Sequence, residues 1–166
     1  MTPLPQLATS EWVAWRLDSA VHAHAWDRGE GAFRVGGRWN SRGRRAVYCA
    51  IDPACAILEV AVHKGFAALD SVAHVLTSLA LSPSADVHRV DPHAVPNPNW
   101  LVPAAVGLGQ QSFGDKLLAM HDFVIIPSTV SRFSWNVVFD PARAAGHYRQ
   151  RSQMRFALDP RLPPKG

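Results

Sequence analysis

The stretch Ala54–Val62 is apolar at every position but one, and the exception is Glu59. It follows Asp52, a side chain suited to capping a helix, and Pro53, whose missing N–H is not needed at the first helical position. Gly65 supplies a stop. These signals predict a helix from Pro53 to about Lys64 that is apolar nearly all round, and such helices are buried. A carboxylate carried into that setting must be paired, protonated or open to a cleft, because an isolated charge in a dry interior is very costly. Two readings of Glu59 stand level at this point: a structural ion pair with an arginine, or a site.

Around this helix lie short runs rich in Val, Ile, Phe and Trp that read as strands: Trp12–Leu17, Ala46–Ile51, His74–Leu81, Phe123–Ile126, Trp135–Phe139 and Met154–Leu158. A second helix is expected over Gln111–Met120 in spite of Gly114. Pro92–Pro103 reads as a long loop and Pro160–Gly166 as a loosely attached tail. At 166 residues and 48% hydrophobic content the chain is long enough for one core and short for two. The expected fold is α+β: one domain over 1–166, with its core at about 12–162, built on a split, mixed or antiparallel sheet and two or three helices.

Charged residues are 18% of the chain, below the ordinary share of about 25%, so much surface should be buried internally or against a partner. The net charge of +4 is carried mostly by arginine, whose planar fork suits phosphate or carboxylate. Cys49 and Cys55 have neither zinc-site spacing nor disulfide density, so a reducing cytoplasm is expected. No stretch has the length of a membrane span, and Met1–Ser10 lacks the pattern of an export signal. His22 and His24 could share one strand face as metal ligands, but without a third ligand no metal site is expected. The groups Arg42–Arg44–Arg45 and Arg149–Arg151–Arg155 lack the interleaved aromatics of a single-strand binder, so no direct nucleic-acid contact is expected.

Upstream of the helix, glycines bracket Arg38 and Trp39 in the segment Gly29–Ser41. The spacing matches neither a dinucleotide fingerprint nor a phosphate loop. Arg38 could grip a phosphate pair while Trp39 fixes the loop by packing; a solvent-facing arginine on a plain turn is the competing reading. Tyr48 precedes the Glu59 helix in a strand and could bring an aromatic face near the carboxylate, or simply be core. Ser128, after Ile125–Ile126–Pro127, could hydrogen-bond a substrate, orient Glu59 or be a turn serine. Asn136 lies inside an apolar strand and needs a buried partner.

Taken in order, Trp15–Arg16–Leu17, Gly36–Ser41, Ala46–Val47–Tyr48, Ala56–Val60, Phe113–Gly114–Asp115, Ile126–Pro127–Ser128 and Phe156–Leu162 resemble the RES domain. That family is named for an arginine, a glutamate and a serine, which fall here on Arg38, Glu59 and Ser128. A late Asn-x-x-x-Asn-Pro pattern is kept only in part, as Asn136 to Asp140–Pro141. The resemblance implies a fold similar to ADP-ribosyltransferase toxins and a toxin that cleaves NAD by hydrolysis or phosphorolysis. It further implies an Xre-type antitoxin as partner, in a hetero-oligomer.

Under that resemblance the catalytic set is Glu59, Arg38 and Ser128, and the NAD-binding set is Arg16, Tyr48, Gly37, Trp39, Asn40 and Asn136. NAD would be a substrate and no cofactor is needed, with inorganic phosphate as the alternative co-substrate to water. Breaking the nicotinamide–ribose bond leaves positive charge on the sugar, which a fixed carboxylate stabilises. Arg16 and Arg38 would hold the diphosphate, Tyr48 would stack on nicotinamide, and Ser128 would hold the ribose or the carboxylate. The alternatives are transfer of ADP-ribose to a cellular protein, a nucleic-acid-binding or RNA-cleaving toxin, and a regulator that only binds nucleotide.

Overall fold

The computed structural model describes residues 11–103, 106–159 and 161. Met1–Ser10, read as lacking an export signal, and all of the Pro160–Gly166 tail except Arg161 lie outside the described residues. The strands are β1 (Val13–Ser19), β2 (Val47–Ala50), β3 (His74–Leu81), β4 (Val87–Arg89), β5 (Phe123–Pro127), β6 (Trp135–Phe139) and β7 (Tyr148–Phe156). The α-helices are α1 (Glu30–Val35), α2 (Pro53–Lys64), α3 (Phe66–Ser71) and α4 (Leu108–Met120).

The strands form one sheet in the order β4-β5-β6-β2-β1-β3-β7. Only β4 and β5 run parallel; the other neighbours are antiparallel. β1 and β3 align along the whole of β1, whereas β1 and β2 meet only at Trp15 opposite Ala50. That narrow joint divides the sheet into two halves, which is the split, mixed α+β architecture expected from the sequence.

Side-chain alternation on β5 explains its unbroken apolar run. Phe123 and Ile125 pack with Trp26, Val137, Phe139 and Tyr148, while Val124 and Ile126 pack with Trp39, Trp100, Leu117 and Leu118. A strand covered on both faces has no polar positions to spare. A smaller cluster of Leu17, Ala61, Leu69 and Leu158 joins α2 and α3 to β1.

α2 forms where its signals place it. Asp52 Oδ1 accepts the backbone N–H of Cys55 at 2.7 Å, and Gly65 follows with φ of 80°. The expectation of burial all round is overturned: only Cys55, Ala56 and Ala61 are fully buried, and Leu58 and Val62 are 37% and 60% exposed. The helix packs on β1, β2 and α3, so one side is covered and the other is left to solvent.

Several short elements differ from expectation. α1, α3 and β4 escape notice because three to six residues carry no periodicity. α4 begins at Leu108 rather than Gln111, and β7 begins at Tyr148 rather than Met154. The Pro92–Pro103 loop contains a 3-10 turn at Pro92–Ala94 and sends Val95 and Trp100 into the core. His22 and His24 sit exposed in a 3-10 turn, Ala20–Ala25, not on a strand.

Candidate active site

Glu59 lies on α2 facing the β5–β6 connection. Its Oε1 accepts the Ser128 hydroxyl and the Asn136 Nδ2, each at 2.9 Å. No arginine lies within ion-pair distance among the described residues, so the structural-ion-pair reading fails. The side chain is 21% exposed, so it is not sealed in a closed core. Oε2 is held by neither residue and has His63 Nε2 at 3.9 Å. One oxygen is thus anchored and the other presented.

Ser128 is wholly buried at the end of β5, and its hydroxyl also accepts the N–H groups of Val130 and Ser131. Asn136 finds the partner its strand position demands. Cys55 Sγ lies 3.8 Å from Asn136 Oδ1, on the side of the amide away from Glu59. Burial raises the Cys55 thiol pKa, keeping it a neutral neighbour of the carboxylate.

Arg38 reaches the same region from the glycine loop. Its Nη1 donates to the Trp100 carbonyl at 2.8 Å. Burial lowers its pKa and the Glu59 carboxylate works in the opposite direction, the mark of a half-buried cation near an anion. With every arginine pKa far above neutrality, Arg38 stays charged. The solvent-facing reading of Arg38 is set aside.

The rest of the glycine loop is scaffold. Asn40 has no exposed surface: its Nδ2 donates toward the carbonyls of Ala32, Ser41 and Arg44, and its Oδ1 accepts the Tyr48 hydroxyl at 2.6 Å. Tyr48 in turn accepts the Trp39 N–H at 3.1 Å and packs in the Trp39–Trp100 cluster. Burial pushes its hydroxyl pKa well above the ordinary tyrosine value. Trp39 is 2% exposed, with its ring 5.9 Å from that of Trp100. Asn40, Trp39 and Tyr48 thus hold the loop from beneath through these contacts, with Asn40 and Trp39 buried and Tyr48 partly exposed.

Gly37 has no room for a side chain, since a Cβ would stand 2.5 Å from the Tyr48 hydroxyl and 2.6 Å from Asn40 Oδ1. Gly114 is required for a similar reason: a Cβ on α4 would overlap the backbone carbonyl of Trp39. Arg16 is also largely engaged, gripping Asp18 through Nε and Nη2 at 2.9 and 2.7 Å and donating to the Tyr48 carbonyl. It braces β1 against β2 beside the joint in the sheet and keeps part of its side chain exposed.

Sequence reasoning missed several supports. Gln111 Nε2 donates to the Gly37 carbonyl, and Asp115 Oδ1 accepts the Ser41 N–H. Ser134 donates to Asp52 Oδ2, and Asp140 takes Arg44 Nη2 at 3.3 Å. Each joins segments far apart in the chain, and a lone polar residue gives no signal of that. Asp140, which departs from the late asparagine pattern, serves as an anion for Arg44.

The family match decides what this constellation belongs to: the RES domain matches residues 13–159. The chain is a member of the RES domain family. A protein named Toxin Res from Photorhabdus laumondii subsp. laumondii is 28% identical over 157 residues, covering 90% of this chain and 96% of that one. A second Toxin Res, from Pseudomonas putida, is 45% identical over 51 residues, 31% of this RES chain and 32% of its own. The fold is similar to a chain in the crystal structure of the M. tuberculosis MbcT-MbcA toxin-antitoxin complex. The TM-score is 0.73 at 21% identity, over 89% of this chain and 85% of that one.

Proposed function

We propose that this RES domain is the toxin of a toxin–antitoxin pair and cleaves the nicotinamide–ribose bond of NAD. The observation that carries the reading is the asymmetry of Glu59: Oε1 held by Ser128 and Asn136, Oε2 bound by neither on a part-exposed side chain, with Arg38 within its electrostatic influence. As nicotinamide leaves, positive charge develops on the ribose. A preorganised carboxylate beside it stabilises the transition state without rearranging. Arg38, fixed by the Trp100 carbonyl, is the cation available to a phosphate of the substrate.

The basic groups favour this reading over a nucleic-acid-directed one. Arg44 is paired with Asp140, Arg45 with Glu30, and Arg149 and Arg151 with Glu11. Cations already paired with carboxylates make a weaker backbone track, and Arg42 and Arg155 are left as the exposed arginines of the two groups outside those pairs. By family resemblance the partner is an Xre-type antitoxin in a hetero-oligomer, and the site of action is the cytoplasm. No helix among the described residues is long and apolar enough to cross a membrane.

The test is purified protein, freed of any partner, incubated with NAD while free nicotinamide is followed with and without inorganic phosphate. Release in either condition is expected, and the mass of the sugar product identifies water or phosphate as acceptor. No release in either condition overturns the proposal. ADP-ribose recovered on a protein in place of free sugar replaces it with the transferase reading.

A further inference from the structure

The oxygen that anchors Glu59 depends on two parts of the fold that are held together by polar contacts. Glu59 rides on α2, which packs against β1, β2 and α3, whereas Ser128 directly follows β5 and Asn136 lies in β6. At the start of α2, Asp52 uses its two oxygens differently. Oδ1 accepts the Cys55 N–H and caps the helix; Oδ2 accepts the hydroxyl of Ser134, in the β5–β6 connection. Ser134 is 7% exposed, and its carbonyl accepts the N–H of Ser128 at 3.0 Å.

These bonds close a ring. It runs from Asp52 along α2 to Glu59, across to Ser128, back through Ser134 and home to Asp52. The Ile51 N–H to the Trp135 carbonyl, at 3.1 Å, fixes the strand backbones beside it, so the fold does not rest on the hydroxyl of Ser134. The side-chain link instead sets where the loop bearing Ser128 stands against the helix bearing Glu59.

We propose that Asp52 and Ser134 are positioning residues: a clasp that registers Ser128 on Glu59 Oε1 and thereby aims Oε2 at the substrate. Neither touches the reacting atoms. The inference rests on the NAD-cleaving reading for its kinetic arm and is independent of it for its spectroscopic arm. A shift of about an ångström in a catalytic group is enough to lower turnover up to about a hundredfold, so a loosened clasp is expressed in kcat rather than in substrate affinity.

The experiment compares Ser134→Ala, which removes the clasp and spares the cap, with Ser134→Thr, which keeps a hydroxyl. Two quantities are measured: the side-chain carboxyl carbon resonance of Glu59, and kcat and KM for nicotinamide release. Ser134→Ala is expected to move the resonance and to lower kcat by about tenfold with KM changed by less than about twofold. Ser134→Thr is expected to restore both. A resonance unmoved in Ser134→Ala overturns the proposal whether or not the wild type consumes NAD. A moved resonance with wild-type kcat overturns it as well. If the wild type releases no nicotinamide, the functional reading fails separately, and the resonance in the two variants alone decides the clasp.

Discussion

Ser128 Oγ stands 2.9 Å from Glu59 Oε1 and at the same time receives the N–H groups of Val130 and Ser131, at 3.2 and 3.0 Å. A hydroxyl has one proton and two lone pairs. With both lone pairs taken, the proton is committed to Glu59, so Ser128 serves the carboxylate and has no acceptor left for a ribose hydroxyl. Ser128→Ala removes one donor from Glu59 and strips the part-buried N–H groups of Val130 and Ser131 of their acceptor. The expected cost is about 1–3 kcal/mol in stability, together with a fall in turnover. Thermal melting beside nicotinamide release checks both.

Gly37 and Tyr48 make the loop under Arg38 a test of scaffold against ligand roles. Gly37→Ala drives a methyl group into the Tyr48 hydroxyl and Asn40 Oδ1. Overpacking of this kind typically costs about 1–3 kcal/mol. Tyr48→Phe strips the Trp39 N–H and Asn40 of a partner, with a similar expected loss of about 1–3 kcal/mol. Both variants are expected to melt lower in the absence of nucleotide, as a purely ligand-stacking tyrosine would not.

Burial pushes the Cys49 thiol up to about 12, whereas an unfolded cysteine titrates near 8.5. Above the unfolded value the unfolded chain has released its proton and the folded one has not, so stability falls as pH rises. The contribution is complete below about pH 8.5 and drains away toward pH 12, with a slope of at most about 1.4 kcal/mol per pH unit. Urea melts from pH 7.5 to 10 are expected to show this decline, and Cys49→Ala is expected to flatten it. Native Cys49 is expected to resist alkylation until the protein unfolds.

His63 stands at the presented oxygen of Glu59, 3.9 Å away and largely in solvent. His63→Arg places a permanent cation where the developing sugar cation needs the carboxylate. Solvent screening keeps such an exposed pair to about 1 kcal/mol or less. Turnover is therefore expected to fall about twofold to fivefold, while neutral His63→Gln stays near wild type. Equal kcat values for the two variants would remove His63 from the neighbourhood of the reaction.

The elements that carry strong local signals were legible in the sequence. His74–Leu81 and Trp135–Phe139 are strands at the expected limits, and Asp52, Pro53 and Gly65 bound α2 as their chemistry requires. β7 was read only at its end because it is an edge strand whose residues mostly face solvent, leaving no apolar alternation. The pairing of Glu59 with Ser128 was one open reading of the strand-end serine that the family pattern favoured, since nothing local links positions so far apart. Trp39 packing under the loop and Tyr48 as core were among the readings the sequence offered, whereas the contacts of Asn40 and Arg16 were not legible. Whether a polar or aromatic side chain faces a ligand or a neighbouring loop depends on which segments fold beneath it, and here those are β2, α4 and the Trp100 loop.

The most direct measurement is nicotinamide release from NAD by Glu59→Gln beside the wild type. Glutamine keeps an oxygen for Ser128 and Asn136 and removes only the charge, so the variant is expected to melt like the wild type. Its rate is expected to drop by about a hundredfold or more, the scale of losing an electrostatic stabiliser of the transition state. A folded Glu59→Gln protein that releases nicotinamide at the wild-type rate would contradict the assignment of the carboxylate as the catalytic group.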